Sequence, residues 1–180
     1  MNLHSLRIVP VLLLAASLPA GLMAQKPKAK SIQPKAAAVA APTYANGIKL
    51  TVKGFVVKEA YLVFDEDNSN VPEGNTVMLN QKVNLKIVLS KGFKEINGKV
   101  FPGGKEKIVL SNGEVILDSE DLFSAFDNEG VSPDDALYIN LKAVITEIKD
   151  KKNFVTVSFR VWDKKFTGNL ITGSYIMHIK

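Results

Sequence analysis

The stretch Phe154-Val155-Thr156-Val157-Ser158-Phe159-Arg160-Val161-Trp162 decides the fold. Val155, Val157, Phe159 and Val161 occupy every second place, which leaves Phe154, Thr156, Ser158, Arg160 and Trp162 on the other side. Successive side chains of a strand point to opposite faces, so a period of two marks a strand with one face buried. The period recurs upstream. Ile48, Leu50 and Val52 alternate with Lys49, Thr51 and Lys53, and Val83, Leu85, Ile87 and Leu89 alternate with Asn84, Lys86 and, less cleanly, Val88. Further strands are expected over 55–64, 107–111, 114–118, 137–148 and 170–179, each bounded by Gly, Asn, Asp or Pro.

Two connections name their own turn. Asn97-Gly98 and Asn112-Gly113 supply the residues that tolerate positive φ at both centres of a type I′ hairpin. The second stands between Ile108, Leu110 and Val115, Leu117, which predicts a hairpin there. The run Phe101-Pro102-Gly103-Gly104-Lys105 lacks the spacing of a phosphate-binding loop and reads as an ordinary loop. Only 118–136 breaks the strand rhythm. Leu122, Phe123 and Phe126 fall on one helical face behind the acids of 118–121, and Ser132-Pro133-Asp134-Asp135 has Ser as N-cap with Pro at the first helical position, so two short helical turns are expected.

Strands at this spacing, with hairpin turns and alternating faces, argue for an all-β antiparallel β-sandwich of about seven or eight strands, immunoglobulin-like in architecture, with a short helical insertion near 118–136. A small closed β-barrel is the alternative. The likeness to immunoglobulin domains is architectural, because the chain has no cysteine and its one tryptophan, Trp162, comes late.

The front of the chain is of another kind. Residues 1–24 hold Arg7, the apolar run Ile8 to Leu18, then Pro19 and small residues, the pattern of a secretory signal peptide too short to span a bilayer, where about 20 apolar residues are needed. Cleavage is expected after Ala24, or after Ala20 because Leu22 stands where a smaller side chain is usual. Residues 25–46 are Lys, Ala and Pro with little to nucleate a core and read as a disordered spacer. The domain proper is expected over 47–180, in a secreted, periplasmic or cell-surface protein with no transmembrane segment after cleavage.

Charge follows the same division. The net charge of +5 is carried by Arg7, Lys26, Lys28, Lys30 and Lys35, and from Asn46 onward the 18 cations equal the 18 acids. A basic pI owed to a tail is no footprint of a nucleic-acid-binding face, and none is expected. Without cysteine there is no thiol nucleophile and no thiolate metal site, and with only His4 and His178 a multi-histidine centre is unavailable. No spacing fixes two carboxylates across a cleft, so a carboxylate-dependent hydrolase is the least supported reading. No catalysis is expected.

Two constellations are left. Phe154, Arg160 and Trp162 on the outward side of 154–162, with Tyr138 at a comparable place beside Leu137, Ile139 and Leu141, are candidate ligand-binding residues, because an arginine among aromatics suits sugar stacking and protein hot spots. The competing expectation is that the 118–136 excursion folds over this face and covers it with Leu122, Phe123 and Phe126, exposed aromatic clusters being uncommon. Between Lys107 and Lys142 lie eight acids and no cation; Asp127, Glu129, Asp134 and Asp135, with Gly130 at the bend, are the candidate ligands should calcium bind, while the plainer account has Asp118, Asp121, Asp134 and Asp135 serving helix N-termini and the other acids solvated. Asp65-Glu66-Asp67-Asn68-Ser69-Asn70 lacks the glycine and the later glutamate of an EF-hand. The reading is a non-catalytic binding module for a protein or glycan ligand, with a structural envelope or matrix subunit joined through sheet edges as the alternative.

Overall fold

The structure, a computed structural model, describes residues 41–147 and 154–180. The expected signal peptide over 1–24 and most of the expected spacer over 25–46 lie outside the described residues. The strands are β1 (Thr43–Tyr44), β2 (Lys49–Lys53), β3 (Val56–Phe64), β4 (Thr76–Val77), β5 (Lys82–Lys91), β6 (Pro102–Leu110), β7 (Val115–Asp118), β8 (Tyr138–Val144), β9 (Phe154–Asp163) and β10 (Leu170–Ile179). Single 3-10 turns occupy Ser124–Phe126 and Asp135–Leu137.

The strands form two sheets with no closed barrel. One has the order β1-β3-β5-β8; the other runs β2-β10-β9-β6-β7, with β4 continuing alongside β10 beyond β2. The long strands pair antiparallel, and only the two-residue strands β1 and β4 run parallel to their neighbours. The core lies between the sheets, where Leu62, Leu85, Ile87 and Leu141 meet Val155, Val157, Val161, Ile171 and Met177, all buried. Each such side chain contributes roughly 1.5–3 kcal/mol by leaving water, so the alternation of 154–162 is the fold's driving force seen in one strand.

Four departures from expectation have physical causes. The chain enters the sheets earlier than residue 47: Thr43 and Tyr44 pair with Glu59 and Ala60, and Asn46 is buried. Asn46 accepts from the Leu62 N–H and donates to Val71 O and Asn75 Oδ1, while Asn75 donates to Asn46 O and Ile176 O, so two buried amides tie both sheets together. Both sit at positive φ, 58° and 50°, which asparagine tolerates. At 112–113 the hairpin forms through a different turn. Gly113 alone has positive φ, its N–H donates to Leu110 O, and the Leu110 N–H donates to Glu114 O, a three-residue loop with a bulge. Asn97-Gly98, both at positive φ and closed by two bonds between Ile96 and Lys99, is the type I′ turn.

The remaining two departures concern β6 and the excursion. β6 begins at Pro102, so Gly103 and Gly104 are strand residues rather than a loop. The excursion after β7 does not cover the outer face of β9. Phe123 turns inward instead, its ring over Gly104 and near Leu141, and Leu122 and Phe126 remain exposed. The Ser132 hydroxyl accepts the Asp135 N–H and donates to the Asp135 carboxylate, while the 3-10 turn itself starts at Asp135, with Asp134 rather than Ser132 at its N-cap position.

Candidate functional site

Trp162 and Arg160 point out of β9 two residues apart, and the Arg160 guanidinium lies 5.6 Å from the centre of the indole. That separation is within cation–π range. Beneath Trp162 the neighbouring strand presents Gly103, its partner across the β6–β9 ladder, and a Cβ there would collide with the indole. The ring therefore rests on bare backbone, half-buried. Gly in a strand interior often marks such a close approach.

These two side chains line a groove of about 290 Å³ with Asp163, Lys164, Thr167, Asn169 and Leu170. Its rim is held from below. The buried Asp163 accepts from the N–H groups of Lys94 (2.7 Å), Lys165 (2.9 Å) and Phe166 (3.1 Å), and Asn169 donates to Gly92 O. Lys164 reaches away to Asp121 (2.6 Å), Asp127 and Phe123 O (3.0 Å), pinning the excursion to the end of β9. Burial alone would raise the Asp121 carboxyl, but the Lys164 ammonium and the Gly104 and Phe123 N–H groups outweigh it and hold the acid below its ordinary range. Arg160 and Thr167 are exposed in the groove.

The other two candidate ligand residues stand elsewhere. Phe154 is at the far end of β9, with its ring 6.1 Å from that of His178. Tyr138, 64% exposed, projects from β8 in the other sheet, beside Phe126 and Asp135. A shared alternation says which residues of a strand face outward, not which sheet the strand joins; the outer faces of the two sheets look in opposite directions. Tyr138 therefore belongs to no surface with Trp162.

Nor are the four acids gathered. Asp127 is taken by Lys164, Asp135 by Ser132, and Asp134 and Glu129 are exposed. Among the described residues no cluster of three or more His, Asp or Glu side chains could hold a metal ion. Gly130 does mark a bend, at φ 61°, but the bend leads back to β6 through the paired Val100 and Val131.

One titratable group is perturbed without belonging to the groove. Glu106 faces the core from β6, 1% exposed, with Oε1 unpartnered, and burial pushes its carboxyl up to about 7. The Tyr175 hydroxyl is also buried and unpartnered; burial, and then the Glu106 charge, raise it well above its ordinary value.

The groove residues that sequence reasoning missed are Gly103, Asp163, Lys164, Thr167, Asn169 and Leu170. A Gly-Gly pair next to an alternating run was the one available signal. No family model matches the chain, and no curated protein matches it. Among solved structures it is similar to the one described as "Crystal structure of the C-terminal domain of wzt", at 12% identity over 78% of this chain and 82% of that chain, with a TM-score of 0.49.

Proposed function

We propose that this chain is a non-catalytic binding module, exported by its N-terminal 24 residues, whose ligand lies against Arg160 and Trp162. The observation that supports this is the seating of Trp162: a half-exposed indole on a glycine, flanked by a guanidinium, with a rim fixed by backbone hydrogen bonds to a buried aspartate. A preset aromatic surface loses little side-chain entropy on binding, and it offers apolar area and a charged donor together. Glycan and protein ligands both use such a surface.

Trp162 is the sole tryptophan, so its emission reports on the groove directly. Titration with a panel of soluble polysaccharides and envelope proteins is expected to shift that emission for at least one ligand, and calorimetric titration, which needs no tryptophan, to show the binding abolished in Trp162→Ala and kept in Phe154→Ala. Binding that survives Trp162→Ala would remove this reading. A structural role is the second reading, favoured by β7: it is an edge strand with Val115, Ile116 and Leu117 all exposed. Such an edge is a template for pairing with another chain. Sedimentation as a monomer at high concentration would exclude assembly through it.

A further inference from the structure

We propose that the outer face of the β2-β10-β9-β6-β7 sheet is a docking surface for a linear acidic polysaccharide, with Trp162 at one end of the track; the proposal rests on the binding-module reading above and names its ligand class. At the Trp162 end of this face cross-strand register arranges the outward side chains in three rows, beyond which Thr156, Ile176, Phe154 and His178 continue it. Lys49, Ser174, Ser158, Lys107 and Asp118 make the first; Thr51, Thr172, Arg160 and Lys105 the second; Lys53, Leu170, Trp162 and Gly103 the third. The lysines stand on the two flanking strands, β2 and β6, about 14 Å apart at the usual inter-strand spacing. Between them β10 and β9 form a floor of hydroxyls with Arg160 in its middle.

These rows thus hold five cations and one carboxylate, Asp118, which pairs with both Lys105 (3.1 Å) and Lys107 (3.0 Å), and Glu73 stands at their border. Among the described residues Lys49, Lys53 and Arg160 have no ion-pair partner, although Glu73 borders Lys49. A flat face of this sign collects polyanions. The hydroxyl floor, a single stacking ring and flanking cations match a chain of sugar rings that carries anionic oxygens along its sides.

Other polyanions fit less well. Single-stranded nucleic acid is held by successive aromatic platforms, and these rows contain one. An anionic lipid surface takes projecting apolar side chains among the cations, whereas Leu170 and Trp162 are both half-buried and the exposed Ile176 and Phe154 stand beyond the Lys49 row, at the end of the sheet away from Arg160.

The test titrates the whole chain with polygalacturonate, hyaluronate and heparin, and in parallel with dextran, an oligothymidylate and phosphatidylglycerol vesicles, following binding by calorimetry and, where Trp162 is present, by its emission. At least one acidic polysaccharide is expected to bind tighter than the other three, about tenfold or more weaker on going from ~50 to ~200 mM salt. The Lys49→Glu/Lys53→Glu variant should lose at least tenfold in affinity and its Gln counterpart a smaller factor, while Lys82→Glu on the other sheet changes nothing. Oligothymidylate or vesicles binding as tightly, or an affinity unmoved in both double variants, overturns the proposal. Dextran binding that needs Trp162 but ignores Lys49 and Lys53 overturns it while leaving the binding module standing. Binding of none of the three acidic polysaccharides also overturns it.

Discussion

The indole of Trp162 rests on Gly103, and the ring of Phe123 rests on the next residue, Gly104, from the other side of the same strand. Consecutive strand residues face opposite ways, so one Gly-Gly step admits an aromatic ring on each face of β6. The outer ring becomes the floor of the groove. The inner one anchors the excursion that follows β7.

Substituting these glycines should separate the two roles. Gly103→Ala is expected to expel the indole, red-shift its emission and weaken ligand binding, and Gly104→Ala to displace Phe123 with little change in emission. Each overpacking should cost about 1–3 kcal/mol. Emission spectra and denaturant midpoints of both variants check this; an unshifted spectrum for Gly103→Ala would contradict the seating described.

Along β9, Phe159 is buried against Tyr175, with ring centres 6.3 Å apart, while Ser158 is exposed. Phe159→Ala should therefore lose about 3–5 kcal/mol of unfolding free energy and Ser158→Ala no more than about 0.5 kcal/mol. Equal midpoints for the two would undo the assignment of faces on which the sandwich rests.

Glu106 makes stability fall as pH rises. Its folded carboxyl, at about 7, holds a proton that the unfolded chain releases near 4.5, so between those values the folded state binds more protons and its stability declines. The loss is on the order of 3 kcal/mol over the window. Glu106→Gln is expected to flatten this slope and to raise the unfolding midpoint at pH 7.5 while changing it little at pH 4. A variant with an unaltered pH profile would place the titration elsewhere.

The acids of the excursion should behave as clamps and solvated charges. Asp121 accepts from the Gly104 and Phe123 N–H groups and from Lys164, so Asp121→Ala is expected to cost about 1.5–3 kcal/mol. Glu129→Gln should be silent within about 0.5 kcal/mol. Millimolar calcium, compared with chelator, should leave the thermal midpoint where it is; a rise would mean that Asp127 leaves Lys164 to bind the ion. Because the Asp121 carboxyl is held below its ordinary value, its contribution is present above the unfolded pKa and is lost as pH falls through the folded one.

What the sequence determined by itself was local. Alternation set which residues of 48–52, 83–89 and 154–162 turn inward, because the two faces of a strand differ by one residue and the hydrophobic effect sorts them. Ser132 announced its bond to the Asp135 N–H, because such a contact is decided within one turn of chain. Tertiary structure decided everything that depends on which strand lies beside which. Pairing put Gly103 under Trp162, sent Tyr138 to the opposite sheet, drew Asp127 to Lys164 and buried Asn46 between Leu62 and Asn75. It also placed the charges: cations and acids are equal in number from Asn46 onward, and Lys49, Lys53, Lys105, Lys107 and Arg160 share one face because β2, β9 and β6 flank or join β10 in the same sheet. Charge counted along a chain is a sum, and a binding face depends on where in space each term of that sum is placed.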